Sequence, residues 1–173
     1  MPKRPAATEY DKVYERYVAR VPEEDVIAAL TSQVDVLRRV MGGVTPSREQ
    51  YRYGEGKWSV RQVVGHLIDG ERIFGLRVFC FSRGETSPLP TFEENQYVAR
   101  SRYDDVPLAE LVEEFAAVRS ANLSVLRRLD DAAWRQVGTA SGYPITVRAI
   151  AFVMAGHVRH HLNVLAERYE VKA

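Results

Sequence analysis

One cysteine, Cys80, in 173 residues excludes an intrachain disulfide and any cysteine-rich metal site. No apolar run approaches the ~20 residues needed to cross a bilayer. Nor does one follow Lys3 and Arg4, so the N-terminus does not read as a signal peptide. A soluble cytoplasmic protein with no membrane association is the expectation. Charge of one sign is lacking too: 24 Lys and Arg against 23 Asp and Glu leave +1. The two signs are interspersed without a basic stripe, which argues against a nucleic-acid partner. Gly-x-Ser-x-Gly and phosphate-loop motifs are missing, which disfavours a serine hydrolase or a nucleotide enzyme. Histidine is scarce at four residues, and all four fall on two segments of helical pattern.

What remains is ordinary globular composition, with 46% hydrophobic and 27% charged residues in a one-domain length. Tyr10, Val13, Tyr14, Tyr17 and Val18 recur at helical spacing, giving an N-terminal helical arm over residues 1–21. Four long helices follow within residues 22–173. The first is opened by Pro22 with Glu23, Glu24 and Asp25 in its first turn. The second starts at the capping box Ser59-Val60-Arg61-Gln62 and runs to about Arg83. It is apolar around much of its circumference and so belongs inside the bundle. Its Gly65, Gly70 and Gly75 each cost about 1 kcal/mol against Ala and suggest close approach of a helix or a ligand. Residues 84–105 read as a long loop with a helical piece near Phe92–Arg102. Pro107 starts the third helix, through Leu129. Residues 130–143 form a second connection with a short turn at Ala132–Trp134, and Thr146 caps the last helix, which extends to about Tyr169. The fold class is all-α, a four-helix bundle of up-and-down or crossover type with no strand pattern.

On the last helix, with His157 at zero, His161 lies near ~40° among Ile150, Met154 and Val164, while His160 falls near ~300° at the edge of that apolar stripe. Two imidazoles four residues apart on one face can bind one metal ion, and His66 on the second helix could supply a third nitrogen. Three ligands leave a tetrahedral ion one open position. Alternatively His66 is a hydrogen-bonded core histidine. Inward-facing histidines with nothing to hold them are costly, however, since an unpaired buried polar group costs ~1–3 kcal/mol. Asp69 could accept a hydrogen bond from His66, ligate the ion, act as a base, or pair with Arg72 or Arg77. Arg159, Arg72 or Arg77 could bind a cofactor carboxylate, or be solvated surface charges.

Gly56-Lys57-Trp58-Ser59-Val60-Arg61-Gln62-Val63-Val64-Gly65-His66-Leu67-Ile68-Asp69 resembles the opening of the second helix in the DinB/YfiT-like superfamily. His157-Val158-Arg159-His160-His161-Leu162-Asn163 resembles its last-helix histidine pair, and the likeness spans roughly residues 22–169. It implies a four-helix bundle, commonly a homodimer, with a zinc- or nickel-type ion on His66, His157 and His161. It also implies either a transferase or isomerase dependent on a low-molecular-weight thiol such as mycothiol or bacillithiol, or a metal-dependent hydrolase acting on a small molecule. The competing expectation is a non-catalytic stress-response or binding module whose metal is structural or absent.

Overall fold

The computed structural model describes residues 3–171. Short 3₁₀ turns at Ala7–Glu9 and Lys12–Tyr14 lead into a one-turn helix, α1 (Glu15–Val18). The bundle consists of α2 (Val26–Gly42), α3 (Val60–Ser82), α5 (Leu108–Leu126) and α7 (Val147–Arg168). Short helices α4 (Glu94–Arg100) and α6 (Asp131–Arg135) sit in the connections, and β1 (Val137–Ala140) pairs antiparallel with β2 (Tyr143–Thr146) just before α7.

Local signals set most helix starts. The Ser59 hydroxyl accepts from the Gln62 N–H while Gln62 accepts from the Ser59 N–H, closing the expected capping box. Thr146 caps α7 through the Ala149 N–H. The first bundle helix begins later than Pro22 suggests. The Asp25 carboxylate accepts from the Ala28 N–H at 3.0 Å, so the acid expected inside the first turn is the cap. The helical piece in the long loop shortens to α4, and α5 ends at Leu126 rather than Leu129.

Among the described residues the hairpin is the regular structure that departs from the expected all-helical pattern. Its strands have four residues each, too few for alternation to register. Its two-residue turn, Ser141-Gly142, has positive φ at both positions, 55° and 83°, the backbone of a tight primed turn. Ala140 and Ile145 bury one face of the hairpin in the core, and the Phe81 ring lies directly over Gly138.

Packing fixes the topology. Helix α3 lies against α5 and α7, and α2 lies against the same two, so α2 and α3 are diagonal neighbours although consecutive in the bundle. This is the crossover alternative, made possible by the long segments that join the helices. The arm folds back over α7: Tyr14, Val18 and Val21 join the core, and the Tyr17 carbonyl passes so close to Gly156 that a Cβ there would meet it at 2.0 Å. The apolar stripe of the arm is therefore packed on its own chain through Tyr10, Tyr14, Tyr17 and Val18, with Val13 left exposed.

At the centre, Arg119 of α5 is fully buried and gives a two-pronged bond to Glu71 of α3 at 2.7 and 2.8 Å. Its third nitrogen donates to Leu30 O and to the Gln33 side chain on α2, and Gln33 in turn donates to Ala155 O on α7. Replacing Arg119 with Met should destabilise the fold by ~3–5 kcal/mol, because Glu71 is left as an uncompensated buried charge. Urea denaturation of Arg119→Met and of Arg119→Met/Glu71→Met checks this. Most of the loss should return in the double variant, and equal losses would show that the charge pair is not the cause.

Candidate metal centre

Three of the four histidines converge. His66 comes from α3; His157 and His161 come from successive turns of α7, presented on one face by their four-residue spacing. One ligand nitrogen from each lies within 4.8 Å of the others, and the ring centroids are 4.6 to 4.9 Å apart. His66 Nε2 and His157 Nε2 are 3.0 Å apart, while His66 Nδ1 is buried without a hydrogen-bond partner. His66 and His157 are 2% and 4% exposed, and His161 sits at the more open end.

The backbone makes room for this meeting. Gly70 lies one turn after His66 on the same face, and a Cβ there would stand 2.9 Å from His157 Cε1. The walls are aromatic. The Trp58 ring lies 4.7 Å from His66, Phe92 stacks on the same imidazole at 6.4 Å, and Tyr17 and Phe74 each make an edge contact with His157 at 5.5 Å. None of these four stood out in the sequence as part of a site: Tyr17 and Phe74 have the helical spacing of core residues, and Trp58 and Phe92 lie in irregular segments whose position depends on the fold.

Burial sets the electrostatics. It pushes the His66 pKa from 6.5 down to about 4, assisted by His160, and holds His157 and His161 well below 6.5, with the neighbouring histidines adding to the effect. At neutral pH all three are uncharged imidazoles with lone pairs to donate. The single direct contact between His66 and His157 satisfies one donor and one acceptor and no more. Bonds of about 2.1 Å at tetrahedral angles set nitrogens about 3.4 Å apart, within the observed spacing. The donor set therefore fits a divalent ion with borderline-soft preferences.

Other candidates lie elsewhere. Asp69 sits about 60° round α3 from His66, on the side of Gly65. The Tyr103 ring fills the space over Gly65 and its hydroxyl donates to Asp69 at 2.6 Å. Burial raises the Asp69 pKa against the opposing effect of that bond. Among the described residues the carboxylate is not one of the gathered ligand atoms. It pairs with neither arginine considered for it: Arg72 bonds Glu114, and Arg77 bonds Pro90 O and the Ser141 hydroxyl. Arg159 is occupied as well, by Glu23 and by Arg20 O, which fastens the arm to α7. His160 is half-buried, its ring 4.9 Å from that of His161 and 5.8 Å from Tyr17, and it is not one of the gathered ligands among the described residues.

Two cavities flank the histidines. One, of about 200 Å³, reaches His66 and His157 and has Arg77 in its wall; the other, of about 260 Å³, reaches His161 beside Trp58, Tyr53 and Lys57.

The family described as the DinB superfamily matches residues 29–165. A protein of Geobacillus thermodenitrificans (strain NG80-2), named as a candidate metal-dependent hydrolase, is 23% identical over 150 residues, covering 83% of each chain. Among solved structures, YfiT from Bacillus subtilis is similar with a TM-score of 0.75 at 20% identity, over 87% of this chain and 90% of that one. It is described as a candidate metal-dependent hydrolase with an unusual four-helix bundle topology. A mycothiol-dependent maleylpyruvate isomerase is similar with a TM-score of 0.63 at 17% identity, over 89% of this chain and 67% of that one.

Two outcomes are expected. His161→Ala should lower zinc affinity at least about 100-fold and His160→Ala should leave it nearly unchanged, measured by chelator competition on untagged protein. Equal retention by the two variants would overturn the assignment between adjacent histidines. Second, metal-free protein should lose stability on acidification. The folded pKa of His66 lies below its unfolded value, so its contribution is complete above pH 6.5 and is lost as pH falls toward about 4. The loss from His66 is about 3 kcal/mol, readable as a fall in urea midpoint between pH 7 and pH 4. A flat midpoint would contradict the neutral trio.

Proposed function

Because the chain belongs to the DinB superfamily, we propose that it is a metal-dependent enzyme in which His66, His157 and His161 hold a zinc or nickel ion and a low-molecular-weight thiol is transferred to a small substrate. The observation that carries this reading is the convergence of three neutral, buried imidazoles with no fourth Cys, Asp or Glu ligand beside them among the described residues. Three protein ligands are the catalytic arrangement; structural sites are closed by four. When bound, such an ion acts as a Lewis acid that holds a thiol as thiolate or lowers the pKa of bound water toward ~7.

The protein's own part is positional. His66, fixed on the bundle-lining face of α3, and the α7 pair present their lone pairs to one point. Trp58, Phe92, Tyr17 and Phe74 keep bulk water off that point, and Gly70 leaves the space that a side chain would fill. The two cavities favour transfer over hydrolysis: a thiol and a second substrate could each approach the trio from its own side, whereas hydrolysis needs one organic reactant. Mycothiol or bacillithiol is the kind of thiol this reading calls for. Self-association as a homodimer rests on family likeness alone, since the arm is packed on its own bundle.

Cobalt-substituted protein tests the open position. Added 2-mercaptoethanol should produce a new near-ultraviolet charge-transfer band and shift the visible bands, and His157→Ala should abolish both. A spectrum indifferent to thiols and to small anions would instead support a closed, structural ion in a non-catalytic module.

A further inference from the structure

Arg77 is one of two buried arginines among the described residues, and it has no acid partner. It is 4% exposed, and among the described residues no carboxylate oxygen lies within 4 Å of it. One of its nitrogens, Nη2, donates to Pro90 O at 3.0 Å and to the Ser141 hydroxyl at 2.8 Å. The Nε and Nη1 atoms, with three N–H donors between them, make no hydrogen bond within the described residues and keep a small accessible surface, on a side chain that lines the cavity. Both hydrogen-bond partners are neutral and the Phe74 ring lies 5.9 Å from its guanidinium carbon, so no negative charge compensates it. Desolvation accordingly lowers its pKa.

Its position relates it to the trio. Eleven residues place Arg77 about 20° round α3 from His66 and about 16 Å further along the axis. Helical side chains lean toward the N-terminus, so the guanidinium extends back toward His66. Gly70 and Phe74 occupy the intervening turns of that face. The same cavity of about 200 Å³ is bounded by His66, His157 and Arg77. At its rim the exposed Arg16 and Glu94 offset one another, which leaves Arg77 as the unbalanced charge inside. A buried cation is tolerated when it is paired, and the pair is missing from the chain itself.

We propose that Arg77 binds a carboxylate of the small molecule that reacts at the histidine trio, which makes the substrate class of this cavity a compact organic acid. The proposal rests on the reading of the trio as a metal centre and strengthens it: three neutral ligands leave the ion's two charges uncancelled, and Arg77 adds a third. An anionic ligand is what such a cavity lacks. Ser141 and Pro90 then serve to aim the guanidinium. Ser141 holds a left-handed backbone at the hairpin tip, where Asn or Gly is more usual, and its hydroxyl is the acceptor that Arg77 uses.

Two measurements test this. Cobalt-substituted protein is titrated with mercaptoacetate and 3-mercaptopropionate and with the matched alcohols 2-mercaptoethanol and 3-mercaptopropan-1-ol. At least one acid should bind about tenfold or more tightly than its alcohol, as expected for a charge-assisted bond. Arg77→Met should erase that preference while leaving alcohol binding within about threefold, and Arg77→Lys, the variant more certain to fold, should keep part of it. Equal binding of acid and alcohol by the native protein, or a preference that survives in Arg77→Met, overturns the proposal. The second measurement uses metal-free protein, in which the Arg77 Nε–H resonance, identified by its loss in Arg77→Lys, should move with sodium propionate and not with propan-1-ol. A resonance that ignores both also overturns the proposal. A silent cobalt spectrum beside a propionate-sensitive Arg77 would sink the metal reading and leave the carboxylate site standing, so the two ideas fail separately.

Discussion

The bundle depends on the buried bond between Arg119 and Glu71, because that bond decides which faces of the helices meet. Arg119 can reach Glu71, Leu30 O and Gln33 together only if α2, α3 and α5 are in one register. Gln33 then extends the restraint to Ala155 O on α7. Ala155 precedes His157 by two residues, and Glu71 follows His66 by five. The link that fixes α3 against α7 is therefore within about two turns of each histidine it brings together. Apolar packing could stabilise the same four helices in several registers at little difference in energy. A network that loses a charged partner when a helix slides by one residue makes those alternatives costly.

Small residues set how near the elements come. Gly75 admits Asn122, whose amide bonds both the Glu71 carbonyl and its carboxylate, so that glycine belongs to the buried network rather than to the site. Gly65 admits the Tyr103 ring and with it the hydroxyl that occupies Asp69. Gly70 admits His157, and Gly156 admits the arm backbone that places Tyr17 against the same imidazole. Three glycines on one helix thus serve three different neighbours. Each would cost about 1 kcal/mol in an isolated helix, and each is offset by a contact that any side chain would block.

This division explains what could be read in advance. Caps at Ser59 and Thr146, the spacing of His157 and His161, and the buried character of α3 are local patterns, and local patterns survive folding. The three glycines pointed to close approach, but which neighbour each admits depends on where a distant segment lands. Asp69 illustrates the limit: three residues from His66 looked near enough to serve it, and Tyr103, 34 positions further on, claims it first. The hairpin was hidden by its brevity. Tyr17 and Phe74 were hidden by their resemblance to core residues, and Trp58 and Phe92 by their place in irregular segments. Arg119 was hidden for a different reason, since an arginine within an amphipathic helix is ordinarily a surface residue, and only the matching Glu71 on another helix makes its burial possible.

Arg119 and Arg77 together separate scaffold from site. Both guanidiniums are almost wholly out of water, on helices that touch, and removing a cation from water costs several kcal/mol wherever it occurs. Arg119 meets that cost inside the chain, with a carboxylate in two-pronged contact and two further acceptors, and nothing is left for a ligand to offer. Arg77 meets it in part, with a carbonyl and a hydroxyl on one nitrogen, and faces a cavity that ends at His66 and His157. A protein stable enough to carry the second arrangement gains from any anion that completes it. The incompleteness is also selective: an uncharged molecule of the same shape would enter the cavity and leave the guanidinium unpaired, so the cost already present in the empty fold becomes the discrimination between ligands.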